Sequence, residues 1–267
     1  MTAHDVTDFT IVDRTKDPDF YRRFLDAGNA LPAIRESKSV ILDGLRLAPG
    51  RRVLDVGCGM GDDVFAIAER VGPSGSVVGA DVSEAMIEEA RRRTPAGAPV
   101  SFQVADARAL PFPDGAFDGV RAERLLMHVP EVPRAVAEMA RVVRPGGRVS
   151  VFDFDWDTMV IDGADRDTTR AVVRSFSDHM KNGWIGRQLP RLFTESGLVD
   201  VRTATRVLFP PFPFFEMLVG GHLTRMVEAG AVSRPAIDAW SADLAAAHAR
   251  GRFLAGFVAF IVSGTRP

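Results

Sequence analysis

Three glycines stand two residues apart in Val53-Leu54-Asp55-Val56-Gly57-Cys58-Gly59-Met60-Gly61-Asp62. Glycine lets a backbone turn tightly and approach a ligand with no Cβ in the way. The helical pattern that follows the loop would begin with free N–H donors and a partial positive charge. Such a loop holds a ligand against the backbone, and the surrounding charges select which one. A dinucleotide fingerprint asks for G-x-G-x-x-G/A, but the position that needs the last small residue holds Asp62, whose carboxylate would repel a pyrophosphate. Asp55 before the loop and Asp62 after it suit a ligand carrying an amino group and a sulfonium better than one carrying phosphates. Asp81 closes the next apolar run, 20 residues after Gly61, where a carboxylate can accept both hydroxyls of a ribose.

Other residues fall where strands should end. Asp106 follows Val104-Ala105, Glu123 and His128 lie at and beyond the end of Phe117–Ala122, and Asp153 and Asp155 end Arg148–Phe154. His128 is the first candidate for a general base, because neutral imidazole is abundant near pH 7. His222 and Asp155 are second choices. Each has a plainer reading beside it. A lone histidine can be a packed core residue, Asp106 and Asp155 can cap turns, and Asp62 can simply complement a helix dipole. Cys58 reads as a small packing residue and Asp118 as structural. Arg91-Arg92-Arg93 reads as a solvated run at a helix C-terminus. Trp156 and Trp184 either wall a substrate cavity or fill core, and Tyr21 has less claim to a role. The Phe209–Phe215 cluster faces substrate, core or a dimer partner, with substrate and core favoured equally.

The elements that must position these residues follow from periodicity. Asp17-Pro18 opens a helix. Leu31, Ile34, Ile41, Leu42 and Leu45 keep the helical period, and Pro49-Gly50 ends that segment. Val53–Val56, Val77–Ala80, Val100–Ala105, Phe117–Ala122 and Arg148–Phe154 read as strands, the last entered by a Gly146-Gly147 turn. Helices over residues 62–71, from a Ser83 cap to Arg93, and over Val132–Val143 alternate with them. Strands that are apolar without polar alternation point to a parallel sheet covered on both faces. Residues 155–185 read as an irregular or helical insertion, Gln188–Ser196 as a helix stopped by Gly197, and Val199–Leu208 and Phe253–Ser263 as two further strands. Two helical stretches over 214–229 and 235–249 make residues 209–251 an insertion between strands, a common place for a lid.

The glycine stretch resembles the first motif of class I S-adenosylmethionine (SAM)-dependent methyltransferases, E/D-x-G-x-G-x-G. Asp81 in Val-Val-Gly-Ala-Asp81-Val82-Ser is similar to that family's ribose-binding acid. Val104-Ala105-Asp106-Ala107 is similar to its third-strand motif, whose acid lies near the adenine amino group. Phe117-Asp118-Gly119-Val120, His128 and Arg144-Pro145-Gly146-Gly147 resemble its fourth and fifth strands. The nearest flavour is the quinone-biosynthesis and natural-product group. The likeness is specific over residues 50–154 and architectural elsewhere. It implies an α/β, Rossmann-like seven-stranded sheet, mostly parallel with the last strand antiparallel, carrying helical lid insertions. It also implies one methyltransferase domain over 1–267, with an N-terminal helical cap (1–48), a cofactor-binding core (50–154) and a lid (209–251). SAM is the implied cofactor, contacted by Asp55, Gly57, Cys58, Gly59, Gly61, Asp81, Val82, Asp106, Ala107 and Glu123. Arg121-Ala122-Glu123-Arg124 stands where some members carry Asp/Asn-Pro-Pro-Tyr, which argues against amino-methylation of bases or amides. A largely apolar or aromatic small acceptor, methylated on oxygen or carbon, is the expectation. A SAM-binding cyclase or regulatory module retains the same motifs and stays open.

Composition sets the outer bounds. The 267 residues are 46% hydrophobic and 25% charged with a formal charge of −2, an ordinary globular balance. That charge gives no global attraction to nucleic acid or anionic membrane. The one cysteine excludes an intrachain disulfide and a cysteine-cluster metal site, and no metal is expected. The longest apolar run, Phe253–Val262, falls well short of the roughly 20 residues that span a bilayer. The first ten residues do not read as a secretory signal, so a cytoplasmic address is the expectation. Oligomeric state is not legible.

Overall fold

The structure, a computed structural model, describes Val6 and residues 18–267. The expectations for the N-terminal ten residues, for Asp17 and for the Tyr21 side chain lie outside the described residues.

Five strands, β1 (Arg52–Val56), β2 (Ser76–Asp81), β3 (Val100–Val104), β4 (Phe117–Glu123) and β5 (Val143–Ile161), run parallel. β6 (Val199–Leu208) and β7 (Ala255–Thr265) complete a seven-stranded sheet of order β3-β2-β1-β4-β5-β7-β6, with β7 antiparallel to both neighbours. The order reverses between β1 and β4, which opens a crevice beyond their C-terminal ends. Helices α3 (Asp62–Val71), α4 (Glu84–Arg93) and α5 (Val132–Val142) cover the parallel half. Coverage on both faces is why Val53–Val56 is buried throughout and shows no alternation. The N-terminal α1 (Pro18–Asn29) and α2 (Pro32–Leu45) begin with prolines, whose fixed φ suits a first helical turn. α2 buries Ile34, Ile41, Leu42 and Leu45. It stops at a left-handed Arg46 (φ 51°), before the Pro49-Gly50 turn.

Several expectations need correction. β5 runs on to Ile161, because Val160 and Ile161 resume pairing with Gly256 and Ala255 after an irregularity beyond Asp155. Residues 155–161 are therefore strand. Gly146-Gly147 is not a turn before the strand but lies inside it, where the β4 pairing slips from Phe117↔Val143 to Gly119↔Arg148. The rest of the insertion is helical: α6 (Arg166–His179), then α7 (Ile185–Glu195), which starts three residues before the expected Gln188. α8 (Phe212–Glu228) and α9 (Arg234–Ala249) fill the expected 209–251 insertion. The arginine run is not simply solvated. Arg91 donates to the Phe102 carbonyl, and Arg93 reaches the Met60 carbonyl and the Asp62 carboxylate, tying the end of α4 to the glycine loop.

α2 lies so close to the sheet that a Cβ at Gly44 would sit 2.7 Å from Ser150 Oγ and 3.1 Å from Ser263 Cβ. On an exposed helix Gly→Ala would stabilise by about 1 kcal/mol. Here Gly44→Ala should instead destabilise, by roughly 1–3 kcal/mol for an overpacked contact, read as a lowered urea midpoint. An unchanged or raised midpoint would show that α2 can lift at no cost.

Candidate active site

The glycine loop is built by backbone constraint. Gly57, Gly59 and Gly61 have φ of +74°, +51° and +85°, values that favour glycine. A Cβ at Gly57 would lie 2.8 Å from Leu125 Cδ1, and one at Gly61 would lie 2.8 Å from the Phe102 ring. At Gly59 a Cβ would meet no protein atom within 4 Å, which leaves its face open to a ligand. Gly57 N and Cys58 N both donate to the Ala80 carbonyl. Gly59 N donates to one oxygen of Asp81 (2.9 Å) and Ser83 N to the other (3.0 Å). The Asp81 carboxylate is therefore aimed by the loop it faces. Cys58 is buried, and burial, with the Asp55 and Asp81 charges, pushes its thiol far above the ordinary range. It stays protonated and serves as packing.

Beyond this loop opens a cavity of about 630 Å³, and every proposed cofactor contact except Gly61 lines it. Asp106 sits at its edge and also makes a turn, accepting from Arg108 N (2.8 Å) and from the Arg108 guanidinium. Those bonds hold it below the usual carboxylate range. The other end of the cavity is apolar, walled by Phe24 and Leu31 from the N-terminal helices, Phe154 and Trp156 from β5, Phe176 and Met180 from α6 and its end, Phe214 and Leu218 from α8, and Phe257 from β7. Phe24 and Phe214 stack with centroids 5.2 Å apart, so the N-terminal cap and the 209–251 insertion meet over the cavity.

Asp55 and Glu123 line the cavity but direct their charge elsewhere. Both meet Arg121, which is 1% exposed and contacts Asp55 (3.1 Å), Asp63 (3.0 Å) and Glu123 (2.5 Å). Lys38 from α2 reaches Asp63 and Glu123. Arg124 reaches Glu123 and donates to Asn29 Oδ1. Burial pushes Asp55 up to about 7, against the pull of Arg121. Burial also acts on Asp63, but Arg121 and Lys38 outweigh it and hold that carboxyl below the usual range. Asp55 therefore lines the cavity while paired with Arg121, supplied by the strand alongside.

His128 lines the cavity on the loop after β4. The backbone of that loop is clamped from two sides. Leu126 N donates to Asp153 (2.8 Å). Asn182 Nδ2 donates to the Leu126 and Val129 carbonyls (2.7 Å each), and Asn182 N donates to Met127 O (3.1 Å). The second-choice bases are not in the cavity. His222 is 2% exposed, with Nε2 3.0 Å from Ser175 Oγ, and packs between the Phe176 and His179 rings. Asp155 is fully buried and paired with Arg187. Both are structural because tertiary packing turned them inward. Trp156 does wall the cavity, with Nε1 3.4 Å from Met127 Sδ, whereas Trp184 lies at the surface under Arg187. Asp118 is structural as expected, accepting from Arg51, Arg52 N and Arg144. Among the described residues no group of His, Cys, Asp and Glu could hold a metal, and no helix is long and apolar enough to cross a membrane.

A sheet of this order, with a glycine loop after β1 and an aimed acid at the end of β2, defines the SAM-dependent methyltransferase class. Residues 53–147 match a family model described as a methyltransferase domain. The chain is 38% identical over 243 residues to the "Uncharacterized 37.1 kDa protein in transposon TN4556" of Streptomyces fradiae, covering 90% of this chain and 69% of that protein. It is 34% identical to methyltransferase GfsG of Streptomyces halstedii over 67% of this chain and 66% of that one. With the demethylmenaquinone methyltransferase of Symbiobacterium thermophilum it shares 44% identity, over 38% of this chain and 41% of that one. The YcgJ protein of Bacillus subtilis has the same fold (TM-score 0.60, 19% identity, 87% of this chain and 98% of that one). The chain belongs to the class I SAM-dependent methyltransferases, and SAM is its methyl donor by family.

Burial pushes Asp153, beneath the His128 loop, up to about 8 from an ordinary 3.8. A carboxyl whose folded pKa lies above its unfolded one binds its proton more tightly when folded. Its contribution to stability is full below the unfolded value and is lost as pH rises towards the folded one. Asp55, also raised, acts in the same direction. Stability should therefore decline from about pH 5 to pH 8. Asp153→Asn, which keeps an acceptor for Leu126 N–H, should make that decline shallower in urea titrations. A parallel decline in the variant would show that Asp153 does not carry the effect.

Proposed function

We propose that this chain transfers a methyl group from SAM to a small, largely apolar or aromatic molecule, on oxygen or carbon, by in-line displacement. The observation that carries this reading is one continuous cavity with two unlike ends: the glycine loop with Asp81 and Asp106, and the wall of Trp156, Phe176, Phe214 and Phe257. The naming of one relative for demethylmenaquinone is consistent with an aromatic acceptor.

The cradle suits the donor. Asp81 has both oxygens fixed by backbone N–H groups yet faces the cavity, so it can accept from a ribose. Val82 and Ala107 line the same end, and Asp106 lies at its edge. Gly57, Cys58 and Gly59 present backbone without bulk. The donor, when bound, supplies a methyl on a sulfonium that is already strongly electrophilic. The protein's task is then to hold an acceptor atom in line and exclude water, for which positioning can contribute about 7–11 kcal/mol. The aromatic wall excludes water and fixes the plane of an acceptor. His128, on the clamped loop between the two ends, takes the proton from an acceptor hydroxyl.

Asp81→Asn should weaken S-adenosylhomocysteine binding in calorimetry by about 10- to 100-fold, the worth of charge-assisted hydrogen bonds. Unchanged affinity would remove Asp81 from the donor site. In assays of S-adenosylhomocysteine release with phenolic and naphthoquinol acceptors, His128→Gln should lower turnover on a phenol by about 100-fold or more at unchanged donor affinity. Full turnover would end its role as base.

A further inference from the structure

Among the described residues four cations line the cavity: Arg108, Arg121, Arg124 and Lys181. Three are neutralised within the protein. Arg108 pairs with Asp106 and Glu131, Arg121 with Asp55, Asp63 and Glu123, and Arg124 with Glu123. Lys181 has no hydrogen bond or ion pair with any described residue. Its backbone is nonetheless fixed. Met180 before it is buried in the apolar wall, and Asn182 after it is pinned by three hydrogen bonds to the carbonyls of residues 126–129. The unpaired ammonium is therefore carried on a rigid segment, held against the loop that bears His128.

The charges of the cavity are unevenly shared. At the donor end Asp62 is matched by Arg93 and Asp106 by Arg108, so among the described residues that end offers an anion no unmatched cation. Among the described residues, a molecule with an apolar body and one acidic group meets an unmatched cation only at Lys181, with Trp156, Phe176 and Phe257 to receive its body. We infer that the acceptor carries an anionic group, of the carboxylate class, and that Lys181 binds that group and so selects an acidic aromatic acceptor over a neutral one. The inference rests on the aromatic end being the acceptor site.

The test uses two matched fluorescent probes: anilinonaphthalene sulfonate, which is anionic, and phenylnaphthylamine, the same ring system without the sulfonate. Each is titrated into the full chain with excess S-adenosylhomocysteine present. Lys181→Gln should raise the sulfonate Kd about fivefold, as for a partly exposed ion pair, and leave the neutral probe unchanged. Lys181→Arg should recover most of the loss, and added salt should erase the difference. An unaltered sulfonate Kd, or an equal shift for both probes, overturns the assignment. Calorimetry with S-adenosylhomocysteine should give equal affinities for wild type and Lys181→Gln, and a matching loss there overturns it too. Failure of the wild type to bind S-adenosylhomocysteine would count against the donor site and leave the probe comparison standing.

Discussion

A single buried guanidinium organises this molecule. Arg121 projects from β4 and satisfies carboxylates from β1 (Asp55), α3 (Asp63) and its own strand (Glu123), while Lys38 brings α2 into the same cluster. The three carboxylates are matched by Arg121, Lys38 and Arg124, so the cluster is formally neutral. Removing one partner of such a network leaves charge stranded in low dielectric, typically at 3–5 kcal/mol. Stabilisation need not be the main service of the cluster, because desolvation of the ions offsets much of their attraction. Its demand is geometric: β1, β4, α3 and α2 must meet in one register for every charge to find its partner. That register fixes where β1 ends and the glycine loop begins, and where β4 ends and the His128 loop begins.

The glycine loop and the acid that faces it were legible because their signals are local. A glycine loop after an apolar run and an acid at the end of the next run can be read from a short stretch, and the structure places both against one cavity. The charge cluster was not legible, since Arg121 lies 66 residues from Asp55 and Arg124 lies 95 from Asn29. In sequence, Asp55 looked like a ligand for a bound cation, and nothing nearby in the chain showed that Arg121 also pairs with it. His222 and Asp155 misled for a related reason. Polar residues near strand ends or in an insertion can point inward, and only the packing of α8 on α6 and the pairing of Asp155 with Arg187 decided that they do.

β5 shows how pairing overrides local pattern. Its expected end at Phe154 reflected polar residues at 153, 155 and 157, which resemble the start of a loop. In the sheet these three alternate with Phe152, Phe154 and Trp156. The antiparallel partner β7 continues to hold the strand beyond them. The longer strand adds Trp156 to Phe154 at the apolar end of the cavity, and Phe257 on β7 packs against both. The aromatic wall is thus assembled from β5, β7, α6, α8 and α1, and no window of sequence contains it.

The two ends of the cavity meet at the segment after β4, and nearly every constraint in the site acts on that segment. Leu125 packs where a Cβ on Gly57 would go, so the loop is seated directly on the donor cradle. Asp153 holds it from below through Leu126 N–H, and Asn182 holds its carbonyls from the acceptor side. Arg124, at a left-handed φ of 51°, anchors its start to the charge cluster and to α1. In-line transfer tolerates little misplacement of the reacting groups. The proposed transfer would use that constraint: a loop held at once by the glycine loop, β5, α1 and Asn182 fixes the backbone that carries His128 between the two ends of the cavity.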